Sequence, residues 1–501
     1  LKKWVWVRRF SQIFFTGLFI YALAASIQPG HWISPKPWFW SDPLAMFSLS
    51  ISSRTFVHGL GWSILFVLAS VFLGRFFCGW LCPMGALGDL VGSLRKKKRK
   101  LSPETNRFWR KPKYILLAVL GLLALAGFQE VWFFDPIVIA GRFISMNLLP
   151  VFAQGLNTTF IFLIKHIPPL DTPLTEAYRC VRQSVLGSRL YTFSNAFPIF
   201  LYFAVLALAG LWVARLWCRT LCPLGAIYAL FSRKALLARR VDDCSSCRRC
   251  QRDCRMAAIG PDLKTVPGEC ILCMDCIYEC PGKKTYFSFK PRVRAKTEPV
   301  SGGLSRKDFL VLFLVPVFLA GFRRRRRSAS RESGAQEGPL RPPGALAEKD
   351  FLNRCIRCGN CMKACPTNGL QPSVIDDGWS ALWVPRLLPN VGACEYNCNQ
   401  CGSVCPTGAI RPLPLALKQK VRIGLAEIDR SRCLNWTDQD TCLVCEEHCP
   451  LPEKAIQLVH VRGRSRPVVD VSRCIGCGLC QNVCPAEPVR AIRVYPLSSQ
   501  K

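Results

Sequence analysis

Uncharged, apolar runs at residues 10–27, 55–74, 114–129 and 190–214 alternate with polar and charged stretches. Each is long enough, or nearly so, to cross a bilayer as a helix, which takes about 20 apolar residues. The pattern predicts four transmembrane helices. A fifth uncharged stretch, 143–164, contains Asn147, Pro150, Gln154 and Asn157 and reads as a re-entrant or interfacial segment. Lys2, Lys3, Arg8 and Arg9, the basic run 95–100, and Arg219, Arg233, Lys234, Arg239 and Arg240 flank the runs, and the positive-inside rule assigns them to the cytoplasm. A fifth full crossing would put the basic residues after Ala214 on the opposite side from those after Gly74.

The membrane part is internally duplicated. Its first half runs apolar stretch, Asp42-Pro43-Leu44, apolar stretch, FFCGWLCPMGA; the second runs apolar stretch, Asp135-Pro136-Ile137, apolar stretch, LWCRTLCPLGA. Cys78 and Cys82, like Cys218 and Cys222, stand four residues apart, on one face if the helix continues that far. Four thiols converging across a pseudo-symmetric bundle would form one site, suited either to a further cluster or to dithiol exchange. The plain alternative is four inert thiols at the membrane edge.

Beyond the last run the chain reads Cys244, Cys247, Cys250, Cys254 and then Cys270, Cys273, Cys276, Cys280, which is C-x2-C-x2-C-x3-C twice. That is the spacing of bacterial two-cluster ferredoxins, where three thiolates on a tight loop cap one cube and the fourth reaches the other. Cys280 is therefore expected to complete the set of Cys244, Cys247 and Cys250, and Cys254 that of Cys270, Cys273 and Cys276. Arg255 follows Cys254 where proline is usual. Zinc sites favour two C-x-x-C pairs across a longer loop instead.

Four more motifs follow: Cys355, Cys358, Cys361, Cys365; Cys394, Cys398, Cys401, Cys405; Cys433, Cys442, Cys445, Cys449; and Cys474, Cys477, Cys480, Cys484. The outer two keep the regular spacing and the inner two are stretched at the first gap. Like is expected to pair with like, so that Cys484 completes the first set and Cys365 the last, while Cys449 and Cys405 complete the inner two. The tails CPTGAI, CPLPEKAIQLV and CPAEPVRAIRV suggest a short helix followed by an apolar strand.

Between the two cysteine-rich regions, Ser305-Arg306-Lys307-Asp308-Phe309-Leu310 opens an apolar run to Phe322, followed by Arg323 to Arg327. The segment resembles a twin-arginine export signal with Lys307 in the second arginine position, and a flexible linker follows it. The expected fold class is thus a membrane α-helical bundle of four duplicated core helices with α+β bacterial-ferredoxin-like domains. The expected divisions are a membrane domain (1–235), a two-cluster ferredoxin (236–295), a signal-like or anchor segment with linker (296–348) and a four-cluster ferredoxin (349–501).

Composition narrows the chemistry. The chain has 29 cysteines; the motifs above use all but Cys180. Six [4Fe-4S] clusters are expected, with the membrane-edge cysteines as the place for a seventh. The formal charge of +35 belongs to membrane flanks and to cations beside anionic clusters rather than to nucleic-acid binding. No C-x-x-C-H, glycine-rich dinucleotide fingerprint or P-loop occurs, and only five histidines are present, so the sequence gives no support to haem, flavin or nucleotide chemistry.

The motifs GWLCPMGAL and RTLCPLGAI, with a two-cluster ferredoxin after the second, resemble the NapH family of membrane ferredoxins, related to the NosR and MauN types. The remainder resembles NapG and MauM ferredoxins, so the whole is similar to a fusion of the two. The resemblance implies a quinol dehydrogenase module of a bacterial-type inner (plasma) membrane. It would pass electrons from membrane quinol through a cytoplasmic and then a periplasmic ferredoxin to a redox partner such as a terminal reductase or cytochrome. Two other classes of function compete: assembly of a partner metalloenzyme, and redox sensing through the C-x-x-x-C-P thiols.

Overall fold

The computed structural model describes residues 3–26, 33–94, 103–166, 171–182, 191–289, 338–374, 378–461 and 463–497. The signal-like segment and the basic run 95–100 lie outside the described residues. The chain divides into two units, each considered separately: the described residues of Leu1–Ala22, Pro35–Phe143 and Phe200–Ser328, and those of Leu23–Ser34, Ile144–Ile199 and Ala329–Lys501.

The four predicted spans are helices, at Lys3–Ala25, Leu60–Leu73, Lys111–Leu125 and Ala196–Trp212. The last three have 14, 15 and 17 residues. At 1.5 Å per residue they are about 21 to 26 Å long, short of a hydrocarbon core of about 30 Å. Among the described residues, one helix is long and apolar enough to cross by itself: Pro136–His166, of 31 residues. It contains the stretch expected to be re-entrant or interfacial. Pro150 does not break it: a π-helical turn at Ile144–Leu148 stands just before the proline, and the helix continues from Leu149 to His166. Outward-facing Leu65, Leu68 and Phe72 on one helix, and Leu201, Val205, Leu208 and Trp212 on another, leave apolar stripes at helical spacing with no protein cover. Such stripes suit a lipid environment.

In the first unit the duplication is visible element by element. Asp42 caps Pro43–Ser53, and Asp135 stands in the same place before Pro136–Phe143, with proline at the first helical position in both. Phe76–Trp80 and Pro83–Leu94 recur as Leu216–Thr220 and Pro223–Phe231. A small ferredoxin closes the unit: Ala238–Val241 pairs antiparallel with Thr285–Ser288, from Ala238 opposite Ser288 to Val241 opposite Thr285, around the short helices Arg249–Arg252 and Asp275–Tyr278.

In the second unit, Leu149–His166 packs with Asp171–Val181, and a second cysteine-rich region follows. There Leu370–Pro372 pairs with Pro385–Leu387, Ile456–Val461 with Arg464–Val469, and Gly424–Ile428 with Ile492–Pro496, all antiparallel. Within this unit the cysteine-rich region rests on Tyr191–Asn195 and the π-turn. Asn368 Nδ2 and Gln371 Nε2 donate to the Thr192 carbonyl at 2.8 and 3.0 Å, Lys363 lies 4.0 Å over the Tyr191 ring, and a Cβ on Gly359 would meet Met146 at 3.0 Å.

Candidate iron–sulfur sites

Each C-x-x-x-C-P motif is a broken helix, not a continuous one. Phe76–Trp80 and Leu216–Thr220 stop one residue short of the second cysteine, and proline restarts the helix after it. The break is identical in both repeats: the N–H groups of Leu81 and Cys82 both donate to the Phe77 carbonyl, and those of Leu221 and Cys222 to that of Trp217, all at 3.0 Å. Cys78, Cys82, Cys218 and Cys222 are all buried, and their charges act on one another across the repeats. The four thiols therefore converge, as the duplication predicts.

Two arginines absent from the sequence reading frame this site. Arg75 and Arg215 each precede a motif by the same interval and each reaches into the opposite repeat. Arg215 Nη1 donates to the Cys78 carbonyl at 2.8 Å and passes 3.5 Å from where a Cβ on Gly85 would stand; Arg75 Nη2 comes within 2.7 Å of the same point at Gly225. A side chain at Gly85 would also meet the Cys78 carbonyl at 2.4 Å. The recurring Arg-x-x-Cys-x-x-x-Cys-Pro-x-Gly was the sequence signal for this arrangement.

The first ferredoxin is locked onto these broken helices. Glu269, 4% exposed and next to Cys270, receives Lys113 at 2.6 Å and Arg75 at 3.0 Å, and Trp80 Nε1 donates to the Leu272 carbonyl at 3.1 Å. Asp89 gathers Arg8 and Arg215 at 2.7 Å and Arg255 at 3.2 Å, and Arg255 also pairs with Asp275. Burial alone would push the Asp89 carboxyl up, but Arg215, Arg255 and Arg8 hold it far below the ordinary carboxylate range. Arg255, which replaces the usual proline, thus ties the ferredoxin to the helix Pro83–Leu94. Gly79 is what permits the approach, since a Cβ there would stand 2.1 Å from the Ile271 carbonyl. Gly79→Ala is expected to cost about 1–3 kcal/mol by overpacking, measured as a lower temperature for loss of cluster absorbance; an unchanged transition would contradict this close contact.

Backbone geometry around the regularly spaced motifs suits iron–sulfur chemistry. The residues before and after the second cysteine are left-handed in each: Ser246 and Arg248, Leu272 and Met274, Arg357 and Gly359, Gly476 and Gly478. Successive turns of this kind aim N–H groups inward as an anion nest. Accordingly, the N–H of Leu272 donates to the Cys270 sulfur, Arg357 to Cys355, Asn360 to Cys358 and Leu479 to Cys477. Burial nevertheless pushes these thiols up, Cys355 and Cys477 to about 11, with Cys405 beside the first and Cys449 beside the second raising them further. Closely grouped buried thiols become stable thiolates when cations sit between them, the charge that cluster iron supplies.

The thiol sets agree with one half of the exchange expected in the first ferredoxin and correct the pairing expected in the second region. Cys254 joins Cys270, Cys273 and Cys276 as expected, and Cys250 groups with Cys244 and Cys247. In the second region, Cys405 and not Cys484 completes Cys355, Cys358 and Cys361, and all four line one cavity. Cys365 completes Cys394, Cys398 and Cys401. Cys484 lines a second cavity with Cys433, Cys442 and Cys445, and Cys449 lies with Cys474 and Cys477. Consecutive motifs pair because the chain between them doubles back: Leu370–Pro372 pairs with Pro385–Leu387 between the first two and Ile456–Val461 with Arg464–Val469 between the last two, whereas Gly424–Ile428, between the second and third, pairs with Ile492–Pro496 beyond the fourth. The stretched first gaps only lengthen the approach to the first ligand. The two pairs meet where Cys394 N–H donates to the Cys477 carbonyl at 2.8 Å. Cys180 is exposed on Asp171–Val181.

Interlocked sets of three cysteines plus one, on a ferredoxin fold, define an iron–sulfur electron carrier. A family described as a 4Fe-4S binding domain matches residues 55–102 and 195–242, and 4Fe-4S dicluster domain families match 347–410 and 440–487. The ferredoxin-type protein NapG of Escherichia coli is 37% identical over 188 residues, covering 35% of this chain and 77% of NapG. The methylamine utilization ferredoxin-type protein MauM of Methylobacillus flagellatus is 36% identical over 31% of this chain and 68% of its own length. The regulatory protein NosR of Pseudomonas aeruginosa is 29% identical over 50% of this chain and 32% of NosR. No solved structure matches. The chain belongs to the NapG and MauM family of ferredoxin-type proteins, joined to a NosR-like region.

Proposed function

We propose that this chain is a membrane-bound conduit that carries single electrons from membrane quinol through six [4Fe-4S] clusters, with the four membrane-edge cysteines as a seventh centre, to a redox protein partner. The observation that carries the reading is the succession of thiol sets joined through hydrogen-bonded residues within each unit. In the first, Trp80 and Glu269 bridge the four-cysteine site and the Cys270 set; in the second, the Cys394–Cys477 hydrogen bond joins the two dicluster pairs. Bound clusters would supply one-electron chemistry, while the residues named above hold them, tune them through N–H donors and exclude water.

The cytoplasmic first ferredoxin and periplasmic second ferredoxin belong to the same proposal. The basic residues that flank the apolar runs, and the signal-like segment that opens at Ser305-Arg306-Lys307-Asp308 before the second cysteine-rich region, support it. Anaerobic membranes containing the protein are expected to show cluster reduction, as loss of visible absorbance, when a quinol is added. No response across the quinol range would remove the conduit reading and leave an assembly role. Protease added to intact right-side-out cells is expected to cut within residues 349–501; cleavage only after membrane inversion would place them in the cytoplasm.

A further inference from the structure

Asp42 and Asp135 occupy equivalent places in the two repeats, and one oxygen of each does the work of a helix cap. Asp42 Oδ1 accepts from the N–H groups of Leu44 and Ala45 at 3.0 and 3.3 Å, and Asp135 Oδ1 from those of Ile137 and Val138 at 2.8 and 3.0 Å. The second oxygens have a different situation. Both residues are 0% exposed, the two carboxyls lie within hydrogen-bonding reach of each other, and neither Oδ2 receives an N–H or O–H donor. Two carboxylates in contact away from water cannot both keep their charge, whereas one proton between them gives each acceptor a partner.

Few charged groups face the pair. Arg142 acts on Asp135 and lies 5.6 Å over the Trp132 ring. Tyr228 is within electrostatic reach of both aspartates and also of Cys78 and Cys82, and its hydroxyl donates to the Ser41 carbonyl at 3.4 Å. The other helices packed on these two elements bring Lys36, Lys111, Lys113, Tyr114 and Asp89. Of these, Lys113 and Tyr114 bond Glu269, Asp89 holds its arginines, and Lys36 and Lys111 stand half-buried at helix starts. Arg75 and Arg215 beside the cysteines already carry their charges, and Tyr228 already carries its proton. Among the groups named here, the aspartate pair is the one that can take up a proton when negative charge is added nearby.

We propose that Asp42 and Asp135 form a buried proton site that holds one proton between their Oδ2 atoms and takes up a second when an electron reaches the four-cysteine centre. The coupling rests on the reading of that centre as redox-active. The balance is one electron from the reductant and one proton from solvent, turning a singly protonated pair into two carboxylic acids with no other bond changed.

The test uses full-length protein in lipid nanodiscs and reduced-minus-oxidised infrared spectra in water and in deuterium oxide. A carboxyl C=O band that appears on reduction, shifts in deuterium oxide and is lost in Asp42→Asn and in Asp135→Asn, at unchanged iron content, supports the site. Asparagine keeps the cap and its amide supplies the missing donor, so both variants are expected to fold. A redox band that survives both substitutions, or none in the wild type, overturns the coupled uptake. If Cys78→Ser leaves iron content unchanged, the centre itself has been misread; a deuterium-sensitive carboxyl band in the oxidised wild type, absent from Asp42→Asn, still establishes the shared proton, and its absence overturns that too.

Discussion

Replacing Cys355 and Cys405 together by serine is expected to remove no more iron than replacing either alone, about four atoms per chain, because both residues hold the same cube. Replacing Cys355 and Cys484 together is expected to remove about eight, since Cys484 stands with Cys433, Cys442 and Cys445. Non-additivity is diagnostic here for the same reason that it is in any double-mutant cycle: two groups serving one structure can lose it only once. The measurement is iron and acid-labile sulfide per chain on anaerobically purified protein, with paramagnetic resonance of the reduced state to count the centres that remain. Equal losses for the two double variants would contradict the pairing of consecutive motifs. A result in which Cys355 and Cys484 behave as one unit would restore the like-with-like arrangement.

That arrangement was the misreading, and its cause is physical. Spacing within a motif reports how three sulfurs fit one cube, and it was a sound guide to which cysteines are ligands. It carries no information about which fourth sulfur arrives, because that depends on the connections between motifs. The strand pairs Leu370–Pro372 with Pro385–Leu387 and Ile456–Val461 with Arg464–Val469 turn the chain back on itself between the motifs that share clusters. The duplication, by contrast, was legible down to the aspartate-proline pairs and the twin C-x-x-x-C-P motifs, although the arginine before each motif went unread. Helix ends were less so: proline breaks the motif helices earlier than a thiol-face argument assumed, and the run holding Pro150 is longer and more continuous than its polar residues suggested. Arg255 shows the opposite case. As a departure from the usual Cys-Pro it looked merely tolerable, yet it forms one corner of the Asp89 cluster. Ion pairs between residues more than a hundred positions apart leave no trace in local pattern, so their members could be named only from the fold.

Those ion pairs set the second large effect. Glu269→Ala is expected to cost about 3–5 kcal/mol, since it leaves Lys113 and Arg75 buried without their anion. The loss falls on the docking of the first ferredoxin, because Glu269 belongs to its loop and both cations to the helices. It is to be read as faster proteolytic release of the 238–289 region and as a lower temperature for cluster loss. Lys113→Met combined with Glu269→Leu is expected to recover part of the difference, because removing both charges abolishes the desolvation cost along with the attraction. The pH dependence has a defined sign. Burial pushes the Glu269 carboxyl up, but Lys113, Arg75 and Arg110 outweigh it and hold it below its ordinary value of 4.5. Its contribution is therefore fully present above about pH 4.5 and is lost as pH falls through the lower folded value. Docking is expected to be insensitive to this group between neutral pH and about pH 5 and to weaken only in stronger acid. Release of the domain at pH 6 in the wild type, or wild-type docking in Glu269→Ala, would show that this carboxylate does not hold the ferredoxin against the broken helices.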